Sequence, residues 1–127
     1  MTTVLDDATK ALDPVAFMEV MKPRFCYRLG RLLQACMEAG HDVKLVEGYR
    51  TARRQKHLYS IGRTIDREQP TVTDVRYSKH QDGKAMDVCS PTLGYAAVQP
   101  FRWLAENAPR FGLKTLPGDR GHIEEAD

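Results

Sequence analysis

The amino-acid sequence predicts an α+β fold, a small antiparallel sheet flanked by helices. Three observations carry that expectation. An apolar stripe at helical spacing runs through residues 25–37. Four short later segments, "DVKLVEG", "KAMDVC", "LKTL" and "GHIEE", read as strands punctuated by Gly or Pro. The remaining helical patterns are short and interleaved with them, as in domains whose helices gather on one side of an antiparallel sheet.

Taken in order, Asp13-Pro14 reads as a helix start, a capping Asp followed by Pro at the first helical position. Pro23 should divide this region into a short helix and a longer one. In the longer one Phe25, Leu29, Leu32, Leu33, Cys36 and Met37 recur on one face, and Gly40 ends it. "DVKLVEG" follows as a strand with Val43 and Leu45 on one face. "TARRQKHLYSIG" reads as a short helix capped by Thr51 and closed by Gly62, its "RTARR" run a solvated basic face. Residues 63–76 lack a period and read as a long loop. In "KAMDVC", Ala85, Asp87 and Cys89 alternate with Lys84, Met86 and Val88. A last helix begins near Pro100, with Trp103 and Leu104 toward the core. "LKTL" and "GHIEE" close the sheet across a Pro117-Gly118 turn.

Length and composition bound the function. A chain of 127 residues is expected to form one domain over 1–127, large enough to bury a core without a staple. A net charge of +2 argues against a nucleic-acid partner, which calls for a basic stripe. The cysteines Cys26, Cys36 and Cys89 are odd in number and widely spaced, so they read as reduced, mostly buried thiols. The start "MTTVLDDATKALDP" lacks the pattern of a signal peptide, and no window has the apolar length of a membrane span. Synthesis in the cytoplasm, no stable membrane insertion and a monomeric state are expected.

The chemistry concentrates in "YSKHQDGKAMDV", residues 77–88, and in "DRGHIEEAD" at the end. A catalytic zinc takes three protein ligands and keeps one position open. His80, Asp87 and His122 would supply two imidazoles and a carboxylate. His80 and Asp87 are an odd number of residues apart, which puts them on opposite faces of one straight strand. Gly83 lies between and can reset the chain direction. His122 would come from a neighbouring antiparallel strand. Asp82 could compete with Asp87 as a ligand, although its place before Gly83 suits a turn. Cys89, on the Asp87 face, could be a soft ligand or a small core thiol. Asp119, three residues before His122, could reach a water on the ion and move its proton. Glu124 lies on the His122 face and could hold that histidine in the right tautomer. His41 and His57 are expected to be solvated.

These residues resemble a family. "SKHQDGKAMD" at 78–87 is similar to the S-x-H-x-x-G-x-A-x-D signature of the zinc D-Ala-D-Ala carboxypeptidase and L-alanyl-D-glutamate endopeptidase family. "DRGHIE" at 119–124 resembles its second motif, and "EGYRTARRQKHLYSIGR" at 47–63 its upstream G-Y-R element. The three blocks occur in family order across residues 47–124. The resemblance implies the hedgehog/D-Ala-D-Ala-peptidase fold and a Zn2+ held by His80, Asp87 and His122. It implies Asp119 as general base and acid, Arg50 at the substrate carbonyl or its oxyanion, and Ser78 lining the substrate site. Ile123 stands where endolysin members often carry an aromatic residue.

The function this implies is hydrolysis of peptidoglycan stem peptides by an L-alanyl-D-glutamate endopeptidase, acting as a bacteriophage endolysin or virion-associated lysin. Such a protein would act at the cell wall after release from the host cytoplasm. A D-Ala-D-Ala dipeptidase or carboxypeptidase is the alternative within enzymes. A zinc-holding binding module without turnover, or a structural phage protein that kept the fold, are the alternatives outside them. Asp119 and Arg50 favour an enzyme.

Overall fold

A computed structural model describes residues 7–73 and 75–126. Helix α1, Pro23–Glu38, starts where Pro23 occupies its first turn and ends at Ala39 and Gly40, the latter with φ of 92°. Strand β1, Lys44–Glu47, helix α2, Ala52–Ser60, and strand β2, Ala85–Cys89, follow. Helix α3, Gln99–Asn107, passes through a 3-10 turn into strand β3, Leu113–Leu116, and strand β4, Asp119–Glu125, completes the sheet. The order across the sheet is β1-β2-β4-β3, and every neighbouring pair is antiparallel. No helix among the described residues is long and apolar enough to cross a membrane.

One sheet face meets α1 and α3. Phe25, Leu29, Leu32 and Cys36 of α1 are buried, at the spacing that sequence periodicity predicts. They pack with Met86 and Val88 of β2, Ile123 of β4, Leu113 of β3 and Leu104 of α3. Full burial of each large apolar side chain contributes about 1.5–3 kcal/mol. Trp103 and Leu33 pack at the margin of this core. Because strand side chains alternate, placing Met86, Val88 and Ile123 inward turns Asp87, His122 and Glu124 to the opposite face. Glu125 at the end of β4 is buried, and Arg24 and Arg28 of α1 reach it at 3.2 and 3.3 Å, tying helix to sheet.

Three expectations need correction. Asp13 does cap, its Oδ1 accepting from Val15 N and Ala16 N, but residues 14–17 form turns and only Met18–Val20 a 3-10 turn. Val15 and Val20 are exposed, so no buried stripe offsets the cost of nucleating a helix between two prolines. Met37 is 67% exposed rather than in the α1 stripe, because Cys36 already fills that turn of the core. The "RTARR" run is not wholly a solvated face. Arg54 turns inward to Glu47, with Nε 3.0 Å from Oε2, and its Nη1 donates to the Ala8 carbonyl at 3.1 Å. Elsewhere Thr51 caps α2 as expected, its hydroxyl accepting from Arg54 N at 3.1 Å.

Candidate metal centre

Register builds the centre. Asp87 of β2 pairs directly with His122 of β4, so both side chains leave the open face side by side. On the other side of Asp87 stands Glu47 of β1. Leu45 pairs with Val88 and Glu47 with Asp87, so β1 spends two residues against one. This bulge turns Glu47 to the open face, where the strand's alternation alone would have sent it with Leu45 to the core. His80 arrives from a turn over residues 79–83. Gly83 closes that turn at φ of 69°, and a Cβ there would meet Met21 Cα at 2.8 Å. The turn undoes the odd spacing between His80 and Asp87, as the sequence anticipated.

One ligand atom from each of His80, Asp87 and His122 can be chosen so that all three lie within 4.8 Å of one another. The His80 Nδ1 lies 2.7 Å from the Gly48 carbonyl, to which it donates, so Nε2 is left as a lone pair 3.2 Å from Asp87 Oδ1. The His122 Nε2 lies 2.8 Å from Glu124 Oε1, to which it donates, and this turns Nδ1 toward the same Asp87 oxygen at 3.3 Å. Two ring nitrogens turned to one carboxylate oxygen need a proton or a metal cation between them and it. The donor set, two imidazole nitrogens and a carboxylate oxygen, is one that Zn2+ takes. The residues present therefore fit the ion.

Charge around the centre is uneven. Burial raises the Asp87 carboxyl, but the hydrogen-bonding imidazoles of His122 and His80 outweigh it and hold it well below the usual range. Burial lowers the His122 imidazole, and Asp87 and Glu124 together overcome this and raise it. Asp119, first residue of β4, stands at the rim with a side chain 58% exposed and Oδ2 3.7 Å from His122 Nδ1. Partial burial and the Asp87 charge raise its carboxyl against the lowering pull of His122. Glu124 is lowered overall: hydrogen bonds from His122 and Lys79 outweigh burial. Its Oε2 lies 3.2 Å from Lys79 and 3.7 Å from Lys114.

Each remaining sequence candidate has a definite place. Ser78 lines the cleft, its hydroxyl accepting from His80 N at 3.2 Å. Arg50 also lines the cleft but is only 8% exposed. Its Nε and Nη2 grip both oxygens of Glu47 at 3.1 and 3.0 Å, Nη1 donates to Gln55 Oε1 at 2.8 Å, and Nη2 reaches Asp87 Oδ2 at 3.5 Å. Asp82 is outside the three-residue cluster and accepts from the Tyr77 hydroxyl. Cys89 is a buried free thiol, also outside it. His41 sits half-buried, its ring 6.2 Å from that of Trp103.

Sequence reasoning missed Glu47, Gln55 and Tyr95. Glu47 and Arg50 flank a Gly-Tyr pair outside any helix, so only the bulge makes partners of them. Gln55 is fully buried and donates from Nε2 to the Val75 carbonyl at 2.7 Å, pinning the long loop to α2. Tyr95 belongs to a connection without periodicity. Burial and nearby Asp87 push its phenol up to about 12. The cleft that joins Glu47 and Tyr95 to the donor cluster has a volume of about 840 Å³ and runs from Val72 and Val75 on the loop to Pro117 and Gly118 on the β3–β4 turn.

The family model for VanY, D-alanyl-D-alanine carboxypeptidase, matches residues 18–123. A provisionally named carboxypeptidase, YodJ, of Bacillus subtilis (strain 168) is 29% identical over 94 residues, which are 67% of this chain and 34% of that protein. The chain thus spans about a third of the length of that curated relative. Among solved structures, the fold is similar to a vancomycin-resistance D,D-pentapeptidase VanY from a VanB-type cassette, in complex with Zn(II). The TM-score is 0.66 at 22% identity, covering 84% of this chain and 73% of that one. It is also similar to the L-Ala D-Glu endopeptidase ChiX of Serratia marcescens. There the TM-score is 0.61 at 15% identity, covering 95% of this chain and 94% of that one.

Proposed function

The chain belongs to the VanY D-alanyl-D-alanine carboxypeptidase family, and from that premise we propose that it is a zinc-dependent peptidase hydrolysing peptidoglycan stem peptides, as an L-alanyl-D-glutamate endopeptidase. The observation that carries the reading is the pair of anchored histidines. Gly48 and Glu124 each hold one ring nitrogen, which leaves His80 Nε2, His122 Nδ1 and the Asp87 carboxylate as a converging donor set. A bound zinc ion supplies a Lewis acid with an open position. Asp119 at the rim takes the proton of the attacking water on its carboxylate and delivers it to the leaving amine. Arg50, itself held by Glu47, reaches the outer oxygen of Asp87, so that the inner oxygen stays aimed between the imidazoles. Ser78 holds the turn that presents His80.

The endopeptidase reading is supported by the charges of the cleft. Its cations Arg50, Arg54 and Lys79 are each ion-paired, to Glu47, Asp87 or Glu124. A substrate ending in a free carboxylate would have to break one of those pairs, whereas an internal peptide bond brings no such charge. The end-to-end likeness of fold to an L-Ala D-Glu endopeptidase points the same way. A D-Ala-D-Ala carboxypeptidase is the second reading, favoured by the description of the family. Digestion of purified peptidoglycan followed by mass spectrometry separates them. New N-terminal D-Glu supports the first, released D-Ala replaces it with the second, and an intact wall rejects both. A single-domain monomer serving a bacteriophage as endolysin or virion-borne lysin, active at the wall after release from the host cytoplasm, completes the proposal. Sedimentation of the purified chain and lysis of permeabilised cells test these parts.

A further inference from the structure

We propose that Tyr95 is a catalytic residue whose hydroxyl donates a hydrogen bond to the scissile carbonyl oxygen as that oxygen gains negative charge. The inference rests on reading the cleft as a peptidase site. Tyr95 lines that cleft together with Asp87, Asp119 and His122 and is 44% exposed. An exposed tyrosine is ordinarily mobile, but this one is held on three sides. Its ring stacks on Phe101, with centroids 6.2 Å apart and planes 11° from parallel. It lies against the backbone of β4 beside His122: a Cβ on Gly121, whose φ is 82°, would come within 2.9 Å of ring Cε1 and 2.1 Å of the Val88 carbonyl. Arg120 Nη1 donates to the carbonyls of Tyr95 and Ala97 at 3.0 and 3.3 Å, tying the connecting loop to the same strand.

Against this fixed ring, the hydroxyl has no hydrogen-bond partner among the described residues. The other tyrosine lining the cleft, Tyr77, donates to Asp82. Arg50, which the sequence resemblance assigns to the oxyanion, is 8% exposed and already donates to Glu47, Gln55 and Asp87. A donor placed in advance where charge develops is the most effective device for acyl transfer, and a neutral phenol brings no buried charge of its own.

Tyr95→Phe keeps the stack and removes only the donor. On a soluble stem peptide, kcat should fall about 10²-fold with KM nearly unchanged, since the bond strengthens only as the carbonyl becomes tetrahedral. Zinc content should stay at the wild-type value, and a phosphinic analogue of the stem peptide should lose affinity by a factor similar to that in kcat. A merely structural tyrosine would instead change zinc content or KM. If the wild type cleaves and Tyr95→Phe cleaves equally fast, or loses only in KM, the Tyr95 assignment is wrong and the peptidase reading stands. A zinc-loaded wild type that leaves both stem peptide and wall intact overturns the two together.

Discussion

His80 and His122 present opposite nitrogens to the centre, Nε2 from one and Nδ1 from the other, because different partners hold their far sides. A main-chain carbonyl cannot ionise or rotate away, so His80 is fixed by the fold itself. The Glu124 carboxylate that holds His122 is in turn held by Lys79 and Lys114. Asp119 is bound by nothing comparable: it stands at the rim, near His122 but outside the donor cluster. Function separates along that line. Asp119→Asn should keep the wild-type zinc content and lose about 10²- to 10⁴-fold in kcat, the usual share of general acid–base catalysis. Elemental analysis and steady-state kinetics on one preparation check both halves, and a variant that turns over normally removes Asp119 from the role. The ligand candidates were legible because the chain has only four histidines and two of them sit in spaced motifs with Asp87 and Asp119. The commitment of Arg50 was not legible, since spacing cannot tell a guanidinium aimed at substrate from one locked onto Glu47.

At the scale of elements, sequence pattern recovered α1, α3 and all four strands, because each packs apolar side chains into the common core. It failed where no face is buried, as at residues 14–20, and where a strand breaks its own alternation. The β1 bulge is the second kind. It places Glu47, 5% exposed, between two guanidiniums and opposite Asp87, and so joins β1, α2 and β2 through charge rather than apolar contact. Burial raises the Glu47 carboxyl, and hydrogen bonds from Arg54 and Arg50 overcome it and leave it below its ordinary 4.5. A carboxyl lowered by folding stabilises the native state above its unfolded value, and that contribution disappears as pH falls through the folded value. Glu47→Gln should therefore cost about 3–5 kcal/mol at neutral pH, where it strands two inward-facing arginines. The gap between variant and wild type should narrow as the pH drops below about 4.5, where the wild type loses the same charge. Urea unfolding from pH 7 to pH 3 reads this directly, and a gap that stays constant over that range would show that the pairing is not electrostatic.

The whole molecule is a sheet with two unlike faces. The helix-covered face holds Phe25, Leu32, Met86, Leu104, Leu113 and Ile123 with essentially no exposure and needs no ion to cohere. The open face gathers acids, arginines and imidazoles, and without a central cation only protons on the imidazoles hold His80 and His122 to Asp87. Metal removal should accordingly loosen the open face and leave the core folded. A ligand that binds only the native state adds RT ln(1 + [L]/Kd), about 2.7 kcal/mol when the free ion is at a hundred times its dissociation constant. Chelation should lower the melting temperature by several degrees for a chain of this length, while far-ultraviolet circular dichroism at 25 °C stays native. His122→Ala deletes one donor of three, so its melting temperature should no longer respond to chelator or added zinc. A wild type indifferent to both would mean that the three side chains meet for some reason other than an ion. Complete unfolding on chelation would mean that the apolar face cannot support the fold alone.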